Sequence, residues 1–194
     1  MKSRISSWPK SLIKTSPRLV FLSLMLQGIC SLANGQWTKH LIDPSTQYTV
    51  FIEAYDIEND GDMDLFVIDE IAGNILFYEN NNNISWIRHV IDSSGGNPHG
   101  LDLADIDNDG NMDLLANYYS ANYNAWFRNN GGTPIQWIKE TIDRSPSGPA
   151  NILAADINGD SALDAVARWF GSGELIWFEN NLPADWTPHL IGEN

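Results

Sequence analysis

Cysteine is almost absent from this chain of 194 residues, and the only one is Cys30. A single cysteine cannot form an intrachain disulfide, so the fold must be stabilised in another way. Long apolar runs are scarce, and the run Leu19–Leu26 is much shorter than the roughly 20 residues that span a bilayer. The chain beyond residue 35 also has no convincing 3.6-residue apolar period. We therefore predict no membrane span and a fold with little helix.

Basic residues are few and unevenly placed. The chain has 11 basic and 25 acidic residues, and five of the basic ones lie among the first 18 residues with no acid beside them. This basic segment, the apolar run Leu19–Leu26 and the small residues Ala33-Asn34-Gly35 predict a secretory signal peptide over residues 1–35. A lipoprotein signal is disfavoured, because the residues before Cys30 are a weak approach to a lipidated cysteine. We predict cleavage after about Gly35 and a protein that is secreted or held at the cell surface.

The acidity of the remaining chain is concentrated in three short segments. Removal of residues 1–35 leaves 6 basic and 25 acidic residues, a net charge of 6 − 25 = −19, and 12 of those acids lie in the three segments. Nucleic acid is excluded as a partner, because binding it requires a basic surface.

Each acidic segment is nine residues long, and the clearest one is Asp105-Ile106-Asp107-Asn108-Asp109-Gly110-Asn111-Met112-Asp113. Two carboxylates about 4 Å apart repel by roughly 4 kcal/mol at an effective dielectric constant of 20, so a loop that gathers several of them favours a bound cation. An oxygen-only set of ligands points to Ca²⁺. An EF-hand is excluded, because position 12 of each segment is Val67, Ala116 or Ala167 instead of Glu. A solvated turn that binds no metal stays open as the alternative.

Internal repetition organises the rest of the chain. Four tryptophans, Trp37, Trp86, Trp137 and Trp186, are spaced 49, 51 and 49 residues apart, and an acidic segment begins 19 residues after each of the first three. Each repeat predicts four short strands, rich in β-branched and aromatic residues and separated by Gly, Asn, Asp and Pro. The predicted strands are 50–55, 64–68, 75–79 and 86–91, then 100–104, 113–117, 125–128 and 137–142, then 151–155, 164–168, 175–179 and 186–191. Four-stranded units of this length are typical of β-propeller blades.

These features resemble the FG-GAP/VCBS repeat family, the calcium-binding β-propellers similar to integrin α chains. The resemblance rests on the acidic segments and on the run Ala125-Trp126-Phe127-Arg128-Asn129, and it covers roughly residues 37–191. It implies that Ca²⁺ is held by segment positions 1, 3, 5, 7 and 9, with position 7 using its main-chain carbonyl. The implied ligands are Asp56, Glu58, Asp60, Asp62 and Asp64, then Asp105, Asp107, Asp109, Asn111 and Asp113, then Asp156, Asn158, Asp160, Ala162 and Asp164. The length of Glu58 departs from the family pattern, and the third segment is the weakest, with Ser161 in place of the glycine at position 6.

The repeats predict an all-β domain over residues 36–194, with blades at about 48–91, 97–142 and 148–191 and an unpaired outer strand at 37–42. Propellers close with typically four to eight blades, so three blades form an incomplete ring. The chain is then the first part of a longer propeller that lacks its downstream blades, or two copies assemble into one ring. The surplus strand at 37–42 favours the first explanation.

The end of the blades opposite the acidic segments is the candidate ligand face. We expect His99, Tyr118, Tyr119, Arg168 and Trp169 to bind a ligand there, because aromatic and polar side chains together suit a glycan or a protein. The favoured function is a secreted, calcium-binding module for extracellular binding or adhesion. Some propellers of this kind are sugar lyases or dehydratases, so an enzyme that uses His99 with Arg168 or Tyr118 is the alternative. A structural fragment without activity is the third possibility.

Overall fold

Twelve β-strands run through the residues that this computed structural model describes, 37–144 and 148–192. The predicted signal peptide, residues 1–35, lies outside the described residues. The strands are β1 (Thr49–Tyr55), β2 (Asp64–Asp69), β3 (Asn74–Asn81), β4 (Ser85–Asp92), β5 (Pro98–Ala104), β6 (Asp113–Tyr118), β7 (Tyr123–Asn129), β8 (Trp137–Arg144), β9 (Pro149–Ala155), β10 (Asp164–Trp169), β11 (Leu175–Glu179) and β12 (Thr187–Gly192). Each of the twelve strands predicted within the blades is present, and its ends agree to within two residues. No helix long and apolar enough to cross a membrane occurs in the described part of the chain.

The strands form three separate four-stranded antiparallel sheets, in the orders β1-β2-β3-β4, β5-β6-β7-β8 and β9-β10-β11-β12. These sheets are the first, second and third blades, and the predicted all-β fold of four-stranded blades is confirmed. None of the three sheets closes on itself. In each blade the turn between the first two strands and the turn between the last two lie at the same end, since neighbouring strands are antiparallel.

The unpaired outer strand predicted at 37–42 is absent. The residues in this range adopt no strand conformation, and none of the three sheets includes them. A strand requires a hydrogen-bonded neighbour for its amide and carbonyl groups, and the sequence pattern alone does not supply one. The contacts divide the chain into two units, Met1–Leu41 and Ile42–Asn194, and all three blades belong to the second.

Two apolar cores lie between consecutive blades. The first joins Phe66 and Phe77 of the first blade to Leu114 and Phe127 of the second. The second core joins the other side of the second blade to the third blade, and its largest members are Trp126, Trp169 and Phe178. The second strand of the middle blade, β6, therefore lies between the two cores, and all six of its residues are buried.

Two of the regularly spaced tryptophans, Trp137 and Trp186, help to fill these cores from the start of the outer strands. The ring of Trp137 meets that of Phe66 edge to face with centroids 6.3 Å apart, and Trp186 meets Trp126 in the same way at 6.4 Å. Both contacts join one blade to the blade before it. Trp37 is fully exposed and fills neither core.

Candidate metal centre

The three acidic segments form the turns between the first two strands of each blade. We call them the first loop (56–64), the second loop (105–113) and the third loop (156–164). The last residue of each loop is also the first residue of the second strand, which fixes that carboxylate within the sheet.

Backbone amides fold each loop around its first carboxylate. In the second loop, Oδ1 of Asp105 accepts a 3.0 Å hydrogen bond from the amide of Asp109, and Oδ2 accepts one of 3.0 Å from Gly110. The carboxylate of Asp109 accepts a 2.8 Å bond from the amide of Asn111. Equivalent bonds form around Asp56 and Asp60 in the first loop. In the third loop Asp156 accepts from the amides of Gly159 and Ser161, at positions 4 and 6, and Asp160 accepts from that of Ala162. The chain itself therefore brings positions 1 and 5 to the inside of each turn.

The carboxylate at position 9 of each loop is buried and held from two sides. Asp64, Asp113 and Asp164 are at most 1% exposed. In each loop Oδ2 accepts from the amide at position 2, and Oδ1 accepts from the amide of an asparagine 16 residues further on. These asparagines are Asn80, Asn129 and Asn180, at 2.9, 2.7 and 2.9 Å. Their repeated spacing was visible in the sequence, but nothing in the residue types alone predicted that they hold the loops.

The second loop has the best-formed cluster of acids. Carboxylate oxygens of Asp105, Asp107 and Asp109 lie within 4.8 Å of one another, and no other group of three or more His, Cys, Asp or Glu side chains among the described residues is this close. Oδ1 of Asp107 is buried and has no hydrogen-bond partner in the described part of the chain. A buried acceptor without a partner is costly, and a bound cation would satisfy it.

The electrostatics of the second loop also favour a cation. Burial, followed by repulsion from Asp109, raises the pKa of Asp107 above its usual value. Burial raises the pKa of Asp113 to about 6, although hydrogen bonds from Asn129 and Trp126 act in the opposite direction. A divalent cation would reverse these shifts, because an opposite charge favours the ionised form. Since all the side-chain donors are oxygens, the arrangement fits Ca²⁺.

The first and third loops have the same backbone but weaker ligand sets. In the first loop, partial burial and then the nearby charge of Asp64 raise the pKa of Glu58 to about 7. In the third loop, Nδ2 of Asn158 donates to Asp160 at 2.9 Å, so a nitrogen faces the acid there. The longer side chain of Glu58 and the weaker third loop were both anticipated from the sequence.

Two backbone positions give all three loops the same shape. Positions 4 and 6 have positive φ angles in every loop: Asn59 and Gly61 (56° and 96°), Asn108 and Gly110 (57° and 92°), Gly159 and Ser161 (81° and 77°). The third loop thus exchanges the two residue types but keeps the conformation. A side chain at Ser161 is strained by its φ angle, because L residues other than Asn and Asp seldom adopt this region.

The structure also shows a hydrogen-bond network that the sequence did not predict. Oδ2 of Asp92, at the end of β4, accepts hydrogen bonds from Tyr118 at 2.6 Å, Ser94 at 2.6 Å and Lys139 at 3.1 Å. Asp43 is placed in the same way, with Ser45, Tyr78 and Arg88 around it. Both acids belong to an Ile-Asp-x-Ser sequence repeated 49 residues apart, which was the available signal. Each network joins a segment that precedes a blade to that blade.

The opposite face brings together three of the five residues predicted to bind a ligand. The ring of His99 lies 6.1 Å from that of Tyr119, and Tyr119 lies 6.5 Å from Phe170. The guanidinium of Arg168 lies 5.7 Å from the ring of Phe170. Phe170 was not predicted, although it follows the third loop at the same distance as Tyr119 follows the second. We call His99, Tyr119, Arg168 and Phe170 the aromatic ledge.

The other two predicted ligand residues lie in the cores instead. Tyr118 and Trp169 are 0% exposed, so neither presents a surface to a ligand. Tyr118 stacks on Tyr123 with ring centroids 4.4 Å apart, and Trp169 packs near Phe178 at 5.8 Å. Each is the last residue of the second strand of its blade, and each lies in a core between blades, Tyr118 in the first core and Trp169 in the second. This burial separates each from the exposed residue that follows it.

Three four-stranded blades, each with an acidic loop between its first two strands, define a repeat protein of the β-propeller type. The model of the FG-GAP-like repeat family matches residues 56–116 and 109–167. The two matches together cover 56–167, more than half of the 194 residues, so the chain belongs to this family as the resemblance indicated. A search of curated proteins found no match.

Proposed function

We propose that the chain is a calcium-binding part of an extracellular β-propeller that serves as a binding or adhesion module. The observation that carries this proposal is the cluster of Asp105, Asp107 and Asp109, in which a buried carboxylate oxygen lacks a partner. The membership of the chain in the FG-GAP-like repeat family and the predicted signal peptide support an extracellular location.

Calcium would act on the blades as a structural bridge. The ion would join position 1, after the first strand, to position 9, at the start of the second strand, and would cancel the repulsion among the acids between them. The chain cannot form an intrachain disulfide, so these bridges would be its strongest local constraints. Their stabilisation follows mass action: occupancy at 100 times the dissociation constant contributes about 2.7 kcal/mol.

Titration calorimetry of the full chain with Ca²⁺ tests the metal. We expect stoichiometric uptake, weaker binding of Mg²⁺, and a rise in the thermal unfolding temperature that EDTA reverses. Asp109→Ala should remove the binding of the second loop. Asp185→Ala, which changes an exposed aspartate outside the loops, is the matched control and should bind like the parent protein. Absence of any uptake would refute the proposal.

The aromatic ledge is the proposed contact surface for a glycan or protein ligand. Tyr119 is 40% exposed and Phe170 is 64% exposed, and they lie beside the charged side chain of Arg168. Aromatic rings with a polar neighbour bind sugars and peptides through stacking and hydrogen bonds. A glycan array probed with the parent chain and with Tyr119→Ala, each with Ca²⁺ and with EDTA, tests this surface. Signals that are equal for the two proteins would place the ligand elsewhere.

A further inference from the structure

Asn180 is a side chain that hydrogen-bonds two of the candidate calcium loops at once. Its Nδ2 donates to the carbonyl of Leu163 in the third loop at 2.9 Å and to the carbonyl of Ile106 in the second loop at 3.0 Å. Its own amide donates to Oδ1 of Asp164 at 2.9 Å. The residue is only 6% exposed, so these bonds form away from solvent.

The equivalent asparagines of the other blades do not make this connection. Nδ2 of Asn129 donates to the carbonyl of Met112 at 3.1 Å, within the second loop. Nδ2 of Asn80 donates to the carbonyl of Met63 and to the side chain of Asn83, in the first blade. Among the described residues, a hydrogen bond from this position to a neighbouring loop therefore occurs only between the second and third loops.

The hydrogen bond from Asn180 reaches the second loop between two of its candidate calcium ligands. Ile106 lies between Asp105 and Asp107, which are positions 1 and 3 of that loop. Its amide donates to Oδ2 of Asp113 at 3.2 Å, so its amide and its carbonyl are both fixed by neighbouring residues. The two loops also face one cleft of about 550 Å³, whose lining includes Asp107 and Asp160.

We propose that Asn180 couples the second and third calcium sites, so that Ca²⁺ at either site raises the affinity of the other, while the first site binds independently. This inference rests on the proposed function, because it concerns the same loops. Ca²⁺ in the third loop would fix Asp164 and, through Asn180, the backbone of Ile106. Part of the second loop would then already be ordered before its own ion binds. By thermodynamic linkage, an ion in the second loop would favour binding to the third loop by the same factor. Asn180 is thus a positioning residue and not a metal ligand.

The size of the coupling follows from the contact that carries it. One hydrogen bond contributes about 0.5–1.5 kcal/mol net, which corresponds to a change of about two- to tenfold in an equilibrium constant. We therefore expect the second site to bind Ca²⁺ about two- to tenfold more weakly when the third site is disabled.

Glycine amides provide one reporter for each loop. Gly61, Gly110 and Gly159 each lie in a different loop, and their backbone signals in a ¹⁵N-labelled full chain can be followed during a Ca²⁺ titration. Asp160→Ala disables the third site, and we expect the affinity reported by Gly110 to fall while that reported by Gly61 stays the same. Asp60→Ala, the matched change in the first loop, should leave Gly110 unaffected.

The role of Asn180 is tested by repeating the comparison in an Asn180→Ala background. Asp160→Ala should then have no further effect on Gly110. An equal effect of Asp160→Ala in the two backgrounds would overturn the role of Asn180. If Asn180→Ala does not fold, the comparison in the parent protein still tests the coupling. A Ca²⁺ affinity at Gly110 that is unchanged by Asp160→Ala would overturn it. Failure of all three glycines to respond to Ca²⁺ would instead refute the proposed function.

Discussion

The indole Nε1 of Trp126 donates a 2.9 Å hydrogen bond to Oδ2 of Asp113. Trp126 is 2% exposed and belongs to the core between the second and third blades, whereas Asp113 is the last acid of the second loop. The candidate metal centre is thus bonded directly to the blade interface. The first blade has Phe77 at this position, which cannot donate, and Nε1 of Trp177 in the third blade is buried without a partner among the described residues.

Trp126→Phe should destabilise the chain through this bond. A hydrogen bond to a charged group contributes about 1.5–3 kcal/mol, and its removal leaves a buried carboxylate with one donor fewer. We expect a loss of about 2 kcal/mol beyond the loss from the smaller ring, measured by urea unfolding in EDTA.

Trp177→Phe is the matched control for this prediction. It removes the same ring atoms at the same position of the next repeat, but it breaks no hydrogen bond of the indole nitrogen. The difference between the two variants therefore reports the bond to Asp113. Equal losses for both variants would show that the bond contributes nothing measurable.

The spacing of the repeats predicted much of this arrangement. Thirteen residues separate Asp113 from Trp126, as they separate Asp64 from Phe77 and Asp164 from Trp177, and this repetition identified both the acid and the core residue. The same regularity located all twelve strands of the blades, because each strand lies at about the same distance from the acidic segment in every repeat. The bond between the indole and the carboxylate was not predictable, since it depends on side-chain positions that a shared spacing does not determine.

Local patterns failed where the tertiary structure decides the outcome. Residues 37–42 have the composition of an outer strand, yet they pair with no sheet. Tyr118 and Tyr119 are adjacent polar aromatics, and only the burial of β6 on both sides separates the core residue from the exposed one. Asp92 and Lys139 are separated by 47 residues in the sequence, and no local motif indicates that they are in contact.

Ser161→Gly should stabilise the third loop. Ser161 adopts a φ of 77°, which costs an ordinary L residue roughly 1–2 kcal/mol and a glycine very little. We expect a gain of about 1 kcal/mol in the free energy of unfolding, measured in EDTA, and tighter Ca²⁺ binding by that loop.

The reverse change, Gly110→Ser, provides the control in the second loop. An added Cβ at Gly110 meets no atom within 4 Å, so only the φ angle of 92° opposes a side chain there. We expect a loss of about 1 kcal/mol. A neutral result for both substitutions would show that the loops relax to accommodate either residue.

Lys139→Met should weaken the contact between the first and second blades. Nζ of Lys139 lies 3.1 Å from Asp92, 2.9 Å from the hydroxyl of Tyr123 and 4.3 Å from the ring centre of Tyr118. Methionine keeps the packing of the aliphatic part of the lysine side chain but leaves Asp92 without its cation. We expect a loss of about 2 kcal/mol in the free energy of unfolding, measured with urea.

Arg88→Met offers a matched comparison for Lys139, since Arg88 has the same position in the first blade. Its Nε lies 3.6 Å from Asp43 and its side chain is 40% exposed, so the pair is screened by solvent. We expect a loss below about 1 kcal/mol there. A loss as large as that of Lys139→Met would contradict the expectation that the exposure of Arg88 weakens its ion pair with Asp43.

Alkaline pH should weaken the contact of Tyr78 with Asp43. Burial, and then the 2.6 Å hydrogen bond to Asp43, raise the pKa of Tyr78 from 10.0 to about 12. The folded chain keeps this proton at a pH where the unfolded chain has released it. The stability from Tyr78 is therefore complete below pH 10 and is lost as the pH rises from 10 to about 12. Urea unfolding of the parent chain and of Tyr78→Phe across this range should give free energies whose difference is constant below pH 10 and shrinks above it. A difference that does not vary with pH would show that the phenol ionises alike in the folded and unfolded chains.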